Sequence, residues 1–128
     1  PQPYNEAWQQ QRKYVFETVT DGCWWGTIVS EPGSGGDTGR TRSECIPEAP
    51  DSLKYRISGQ KHFGSGSGLN SFMTTRAVAA GESGPDLFFL EVRNQPWDGS
   101  TGMRMAWAPD VSSARFSAGT DAGESTMR

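Results

Sequence analysis

Two glycine-rich segments divide this chain into short apolar stretches and limit the length of any regular element. The first runs from Val29 to Asp37, and the second runs from Gly64 to Gly68. Glycine has no β-carbon and loses more conformational entropy on folding than other residues, so both segments predict loops. With 16 glycines in 128 residues and a hydrophobic fraction of 34%, the chain favours a β-rich fold with a thin core over a helical bundle.

The charge and the apolar pattern argue against several classes of function. A formal net charge of -3 and a pI near 5.1 provide no broad basic surface for nucleic acid. No apolar run approaches the roughly 20 residues that cross a bilayer, and no signal peptide opens the chain, so we expect a cytoplasmic protein without membrane contact. Cys23 and Cys45 could pair, but two free thiols are expected in that compartment.

The local patterns predict one helix followed by strands. Residues Tyr4 to Val19 predict an amphipathic helix that ends at Gly22, and its apolar face carries Trp8, Val15, Phe16 and Val19. Strands are predicted over Cys23 to Ser30, Arg40 to Ile46, Leu53 to Ser58, Ser71 to Val78 and Leu87 to Val92, with one further alternation at Met103, Met105 and Trp107. Gly59-Gln60-Lys61 predicts a turn.

The fold class is therefore mainly β, an antiparallel barrel or sandwich preceded by one α-helix. Residues 23–110 are predicted to form the β-domain, and residues 111–128 are predicted to be a poorly ordered tail, since Ala114 to Arg128 holds few large apolar groups. Because the chain starts at Pro1 and lacks an obvious terminal element, we expect a piece of a longer protein.

Two short sequence words, separated by the predicted hairpin, carry most of the functional information. The first is Ser30-Glu31-Pro32-Gly33-Ser34-Gly35-Gly36-Asp37, and the second is Gly59-Gln60-Lys61-His62-Phe63-Gly64-Ser65-Gly66. The series resembles the middle domain of the acyl-CoA dehydrogenase superfamily, whose words read Thr-Glu-Pro-x-x-Gly-Ser-Asp and Gly-x-Lys-x-Trp-Ile-Thr-Asn. Two words in the right order are far more specific than either one.

The resemblance implies that residues 1–22 end a preceding helical domain and that residues 23–110 are the family's middle β-domain, which contributes to a flavin site. The cofactor would be FAD, or FMN in a monooxygenase, and acyl-CoA or another small molecule would be the substrate of a homo-oligomeric parent enzyme of fatty acid metabolism. The implied cofactor-binding residues are Thr27, Ile28, Val29, Ser30, Phe63, Gly64 and Ser65. Ser30 would keep a hydroxyl near the flavin N5 or O4. The family's catalytic base and its adenosine contacts lie in other domains, so no catalytic residue is assigned here and the chain alone is expected to be inactive.

Departures from the family words leave the reaction open. Gly36 stands at the position of a serine that contacts the cofactor phosphates or the acyl chain, and it is the implied substrate-binding position. Phe63-Gly64-Ser65-Gly66 replaces Trp-Ile-Thr-Asn and resembles flavin monooxygenases of the same fold. The reading is thus a flavin-dependent α,β-dehydrogenase of acyl-CoA thioesters, with a monooxygenase acting on a non-thioester substrate as one alternative and a non-catalytic β-sandwich binding module, using Trp97 and Trp107, as another.

Other polar and aromatic residues have simpler explanations. His62, the only histidine, is expected on the surface, and no metal site can be assembled. Glu31 and Asp37 are explained by turn formation and solvation. Trp24 and Trp25 point to opposite faces of a strand, so one of them is expected in the core. The hairpin cations Arg40, Arg42, Lys54 and Arg56 either meet a phosphate or form a solvated face.

Overall fold

The computed structural model of this chain describes the backbone of residues 5–34, 36–107, 114–118 and 126–127, and the side chains of residues 5–34 and 36–104. Within these residues one α-helix precedes an eight-stranded sheet. The elements are α1 (Asn5–Thr20), β1 (Trp25–Thr27), β2 (Glu44–Pro47), β3 (Lys54–His62), β4 (Phe72–Ala79), β5 (Pro85–Glu91), β6 (Met103–Trp107), β7 (Ala114–Ala118) and β8 (Thr126–Met127). The predicted mainly β fold with one preceding helix is confirmed.

The sheet curls on itself. Its strand order is β1-β4-β5-β8-β3-β7-β6, and β2 pairs with both β3 and β4, so that β2, β3, β8, β5 and β4 follow one another in a ring. The β2–β3 and β4–β5 pairs are antiparallel hairpins, whereas β1 and β2 each run parallel to β4. The parallel pairs differ from the expected all-antiparallel pattern. Parallel neighbours need a crossover connection, and β3 lies within the connection between β2 and β4.

The core lies on the inner side of the curled sheet in two clusters. Strand β4 sits between β5 and the parallel strands, so its side chains are buried more completely than those of its neighbours. The first cluster contains Ile28, Met73, Val92 and Met103, and the second contains Cys45, Tyr55, Ala77, Ala79 and Phe88. Each large apolar side chain buried here contributes on the order of 1.5–3 kcal/mol. Cys23 and Cys45 form no disulfide.

Helix α1 forms where the sequence predicts it, but a different face contacts the sheet. Trp8, Phe16 and Val19 remain 55%, 59% and 50% exposed. The contacting residues are Tyr14, whose ring centroid lies 6.0 Å from those of Phe72 and Phe89, and the buried Thr18. The predicted apolar face is therefore largely exposed, with Val15 half-buried, because ring contacts between Tyr14 and the sheet hold a neighbouring face of the helix.

The adjacent tryptophans separate as their alternation on a strand predicts. Trp25 stacks on Phe72 with ring centroids 4.6 Å apart, and its Nε1 donates a hydrogen bond to Thr18 Oγ1 at 3.0 Å. Trp24 is 65% exposed. One ring therefore joins the helix to the core and the other faces outwards, as expected.

Strand β3 runs without a break from Lys54 to His62, so the turn predicted at Gly59-Gln60-Lys61 was wrong. A β-carbon at residue 59 would lie 2.0 Å from Ser43 Oγ and 3.0 Å from Ser43 Cα. Glycine is needed at this position because a neighbouring segment approaches the strand closely, and not because the chain reverses there.

The tail that the sequence predicts to be poorly ordered, residues 111–128, lies largely outside the described residues. Within it, Ala114–Ala118 pairs with β3 and β6, and Thr126–Met127 pairs with β3 and β5. Strands in these two segments were not predicted from the sequence. The division into residues 1–22, 23–110 and 111–128 stays a prediction.

Candidate functional site

The two sequence words meet at one edge of the curled sheet. The backbone N–H of His62, at the end of β3, donates to the carbonyl oxygen of Ser30 at 2.9 Å. Two residues earlier, Ile28 N donates to Thr74 O at 2.8 Å, and Thr75 Oγ1 donates to Ile28 O at 2.7 Å. The segment from Ile28 to Ser30 therefore lies between β4 and the end of β3 and brings the first glycine-rich loop beside the second.

A buried ion pair joins the same two words through their side chains. Lys61 Nζ lies 2.5 Å from Glu31 Oε1, and the two side chains are only 7% and 4% exposed. Lys61 Nζ also donates to the carbonyl oxygen of Arg76 on β4 at 2.7 Å. The turn expected at Glu31 is present, since Ser34 N donates to Glu31 O at 3.2 Å, but the expected solvation of its side chain was wrong, because the carboxylate is turned inwards by a partner far away in the chain.

The Glu31 carboxylate is well supplied with donors. Besides Lys61 it accepts from Arg42 N at 2.6 Å, from Ser43 N at 3.0 Å and from Ser43 Oγ at 2.5 Å. Burial alone would raise the pKa of Glu31, but the hydrogen bonds from Lys61, Ser43 and Arg42 hold it below its usual value. Burial lowers the pKa of Lys61, and Glu31 only partly opposes this. The carboxylate is thus held ionised by hydrogen bonds.

The second loop is supported by backbone turns and by one amide side chain. Ser67 N donates to Gly64 O at 3.0 Å, and Asn70 N donates to Gly66 O at 2.9 Å. The buried Asn70 side chain donates from Nδ2 to Ser65 O at 3.2 Å. A β-carbon on Gly66 would lie 2.9 Å from this amide, so the loop wraps tightly around Asn70.

Phe63, at the start of the second loop, is exposed to solvent. Phe63 is 61% exposed and has a left-handed backbone with φ of 57°. Its ring stacks on that of His62 at a centroid distance of 5.1 Å. His62 is half-buried, which differs from the surface position expected for it, and its Nε2 is buried with no hydrogen-bond partner among the described residues.

The proposed contacts divide into accessible and buried residues. Thr27 and Ser65 are exposed, Val29 and Ser30 are half-buried, and Gly64 is buried. Ile28 is only 2% exposed and packs in the first core cluster, so its side chain anchors the segment that precedes Ser30 to the core. The structure brings Ser30 next to the His62–Phe63 step, as the two words imply, and the contacts of these residues with a flavin stay a prediction.

The far end of the first loop is open. Gly36 is exposed, and a β-carbon there would meet no atom within 4 Å. Asp37 Oδ1 accepts from Gly39 N at 3.0 Å at the start of a short 3-10 helix, so the expected role of Asp37 in a turn is confirmed. The cations Arg40, Arg42, Lys54 and Arg56 are all exposed.

Sequence reasoning missed the supporting residues Ser43, Lys61 and Asn70. Lys61 lies inside the second word, and an isolated lysine on an otherwise buried strand position is a usable signal for a buried partner. Ser43 and Asn70 carry no such signal. In the described part of the chain there is no cluster of His, Cys, Asp and Glu that could hold a metal ion, and no helix is long and apolar enough to cross a membrane.

Comparison with solved structures returns acyl-CoA dehydrogenases. The structure matches a protein described as a probable acyl-CoA dehydrogenase from Mycobacterium abscessus with a TM-score of 0.62 and 21% identity, over 91% of this chain and 30% of that chain. An acyl-CoA dehydrogenase from Geobacillus kaustophilus matches with a TM-score of 0.63 and 17% identity, over 93% of this chain and 31% of that chain. This chain has the fold of part of an acyl-CoA dehydrogenase.

The likeness is limited to the fold and to part of each matched structure. At these identities the superpositions establish the fold, and the chain spans about a third of the length of the structures it matches. Comparisons with protein-family models and with curated proteins give no match. The acyl-CoA dehydrogenase fold was the expectation from the two sequence words, and it is confirmed.

Proposed function

We propose that this chain is the flavin-facing β-domain of an acyl-CoA dehydrogenase-like oxidoreductase that introduces an α,β double bond into an acyl-CoA thioester. The observation that carries the proposal is the meeting of the two words at one edge, through the Ser30–His62 backbone bond and the Glu31–Lys61 ion pair. The fold likeness supports the same assignment.

The accessible residues at this edge fit a flat cofactor with one polar rim. The exposed Phe63 ring offers a surface for stacking, and the hydroxyls of the half-buried Ser30 and the exposed Ser65 would donate to the rim. Backbone groups of Thr27, Val29 and Gly64 would complete the contact while Ile28 supports it. FAD, when bound, supplies the hydride acceptor. The substrate would approach from the open side at Gly36, and this chain contributes no catalytic base.

The second loop favours a second candidate, a flavin monooxygenase that acts on a non-thioester substrate and takes FMN or FAD. Phe63 replaces the tryptophan of the family word, so the indole N–H donor is absent, and glycines flank Ser65. If the parent protein is a dehydrogenase, acyl-CoA should perturb the spectrum of bound flavin. If it is a monooxygenase of this kind, acyl-CoA should have no such effect. A non-catalytic binding module predicts no affinity for flavin.

Titration of FAD and FMN into the purified chain tests the proposal, with flavin fluorescence and the visible absorption band as readouts. We expect weak binding, because a single wall of the site supplies few contacts. Ser65→Ala should weaken it about 2- to 10-fold, the effect of one lost hydrogen bond. Ser83→Ala, on the exposed turn between β4 and β5, is the matched control and should bind like the unaltered chain. Equal affinities for all three proteins, or no binding, would contradict the proposal.

A further inference from the structure

We propose that Glu31 and Lys61 are a positioning pair that fixes the spacing between the two flavin-facing loops; this inference rests on the function proposed above. Glu31 directly follows Ser30, and Lys61 precedes Phe63 by two residues. The ion pair therefore joins the two chain segments that carry the residues that would contact the cofactor, beside the Ser30–His62 backbone bond. Any change in its length changes the distance between Ser30 and the second loop.

The pair connects more segments than the two loops. Glu31 accepts from Arg42 N and Ser43 N, and Lys61 donates to Arg76 O, so the first loop, β3, β4 and the segment before β2 all converge on these two side chains. Such hydrogen bonds have fixed lengths and directions, whereas apolar contacts allow side chains to slide past one another. The pair therefore specifies a geometry rather than only filling space.

Stability alone does not account for burying these charges. The desolvation of a buried ion pair offsets most of its Coulombic attraction, and apolar residues of similar volume often stabilise a protein as well or better. A site that must hold a flat ring gains more from a fixed spacing, since a displacement of about 1 Å in supporting residues is enough to impair binding or catalysis. Position next to the site and full hydrogen bonding thus point to the same role.

The test compares Glu31→Gln, Lys61→Met and Ser43→Ala with Lys13→Met. Glu31→Gln keeps the shape of the side chain and removes the charge, and Ser43→Ala removes one donor but leaves the ion pair. Lys13→Met is the matched control because Lys13 forms an exposed pair with Glu17 at 3.6 Å. Hydrogen exchange of the His62 amide reports the contact between the loops, and flavin affinity and the visible band of bound flavin report the spacing. Exchange of β4–β5 amides verifies that each variant is folded.

We expect Glu31→Gln to speed exchange of the His62 amide at least tenfold, to weaken flavin binding at least tenfold and to alter the band of bound flavin, while the β4–β5 amides remain protected and change less than the His62 amide. Ser43→Ala should have smaller effects in the same direction. It therefore tests the positioning role even if Lys61→Met does not fold. Unchanged flavin affinity and band in folded Glu31→Gln would overturn the positioning role. No flavin binding by the unaltered chain would instead overturn the proposed function and the ligand assigned here, while unchanged His62 exchange would refute the link between the loops.

Discussion

The two glycine-rich loops lie side by side, but different forces hold them in place. The first is tied to the sheet by a buried carboxylate with four donors. The second is tied by its own turns and by the neutral amide of Asn70. One support depends on charge and on residues far apart in sequence, whereas the other is local and uncharged. The loops should therefore respond differently to mutation and to pH.

The largest expected effect is the loss of stability when the buried Glu31–Lys61 ion pair, which supports the first loop, is broken. Lys61→Met leaves Glu31 buried without its cation and should lower the free energy of unfolding by about 3–5 kcal/mol. The equivalent change at the exposed Lys13 should alter it by less than about 1 kcal/mol. Urea unfolding monitored by tryptophan fluorescence measures both. Similar losses for the two variants would show that the first loop does not depend on its ion pair.

A smaller loss of stability is expected when an added methyl group displaces the Asn70 side chain, which supports the second loop. A β-carbon on Gly26 would lie 2.1 Å from Asn70 Nδ2, so Gly26→Ala displaces the amide that holds Ser65 and should cost about 1–3 kcal/mol. Gly36→Ala, where no atom lies within 4 Å, is the control and should be neutral or slightly stabilising. Thermal unfolding compares them. If Gly26→Ala matches the control, Asn70 is not a rigid support.

The smallest expected effect is the response to acid, and it separates the loops most clearly. The pKa of Glu31 lies below its ordinary value of 4.5 in the folded chain, so its stabilising contribution is complete above about pH 4.5 and is lost as the pH falls through the folded pKa. The stability of Glu31→Gln should therefore fall less steeply below pH 4.5 than that of the unaltered chain. Parallel acid limbs for the two proteins would contradict this account.

The sequence predicts the parts of the fold that depend on local periodicity. The helix, the β2–β3 hairpin and strands β4 and β5 follow from apolar spacing and turn residues, and the order of the two words predicts the family fold. Within the candidate site, the words also predict that Ser30 lies near the Phe63 segment. These features need no knowledge of partners far away in the chain.

The remaining features depend on such partners. From the local sequence alone, Glu31 resembles a solvated turn residue, and only its contact with Lys61 shows that it is buried. Gly59 also resembles a turn residue, and only the close approach of Ser43 shows why glycine is needed within the strand. The face of α1 that docks is chosen by the rings of Phe72 and Phe89, which are more than fifty residues away. No local pattern encodes these contacts.

The parallel pairing of β1 with β4 has a consequence for the order of folding. The β4–β5 hairpin joins residues that are close in sequence, so its loop closure is entropically cheap and it should form early. Trp25 pairs with Phe72 across a much longer stretch of chain, and Ser30 reaches His62 only after β3 is in place. We therefore expect the edge that carries both loops to assemble after the β4–β5 hairpin, so that in a chain emerging from the ribosome Ile28 joins the first core cluster late.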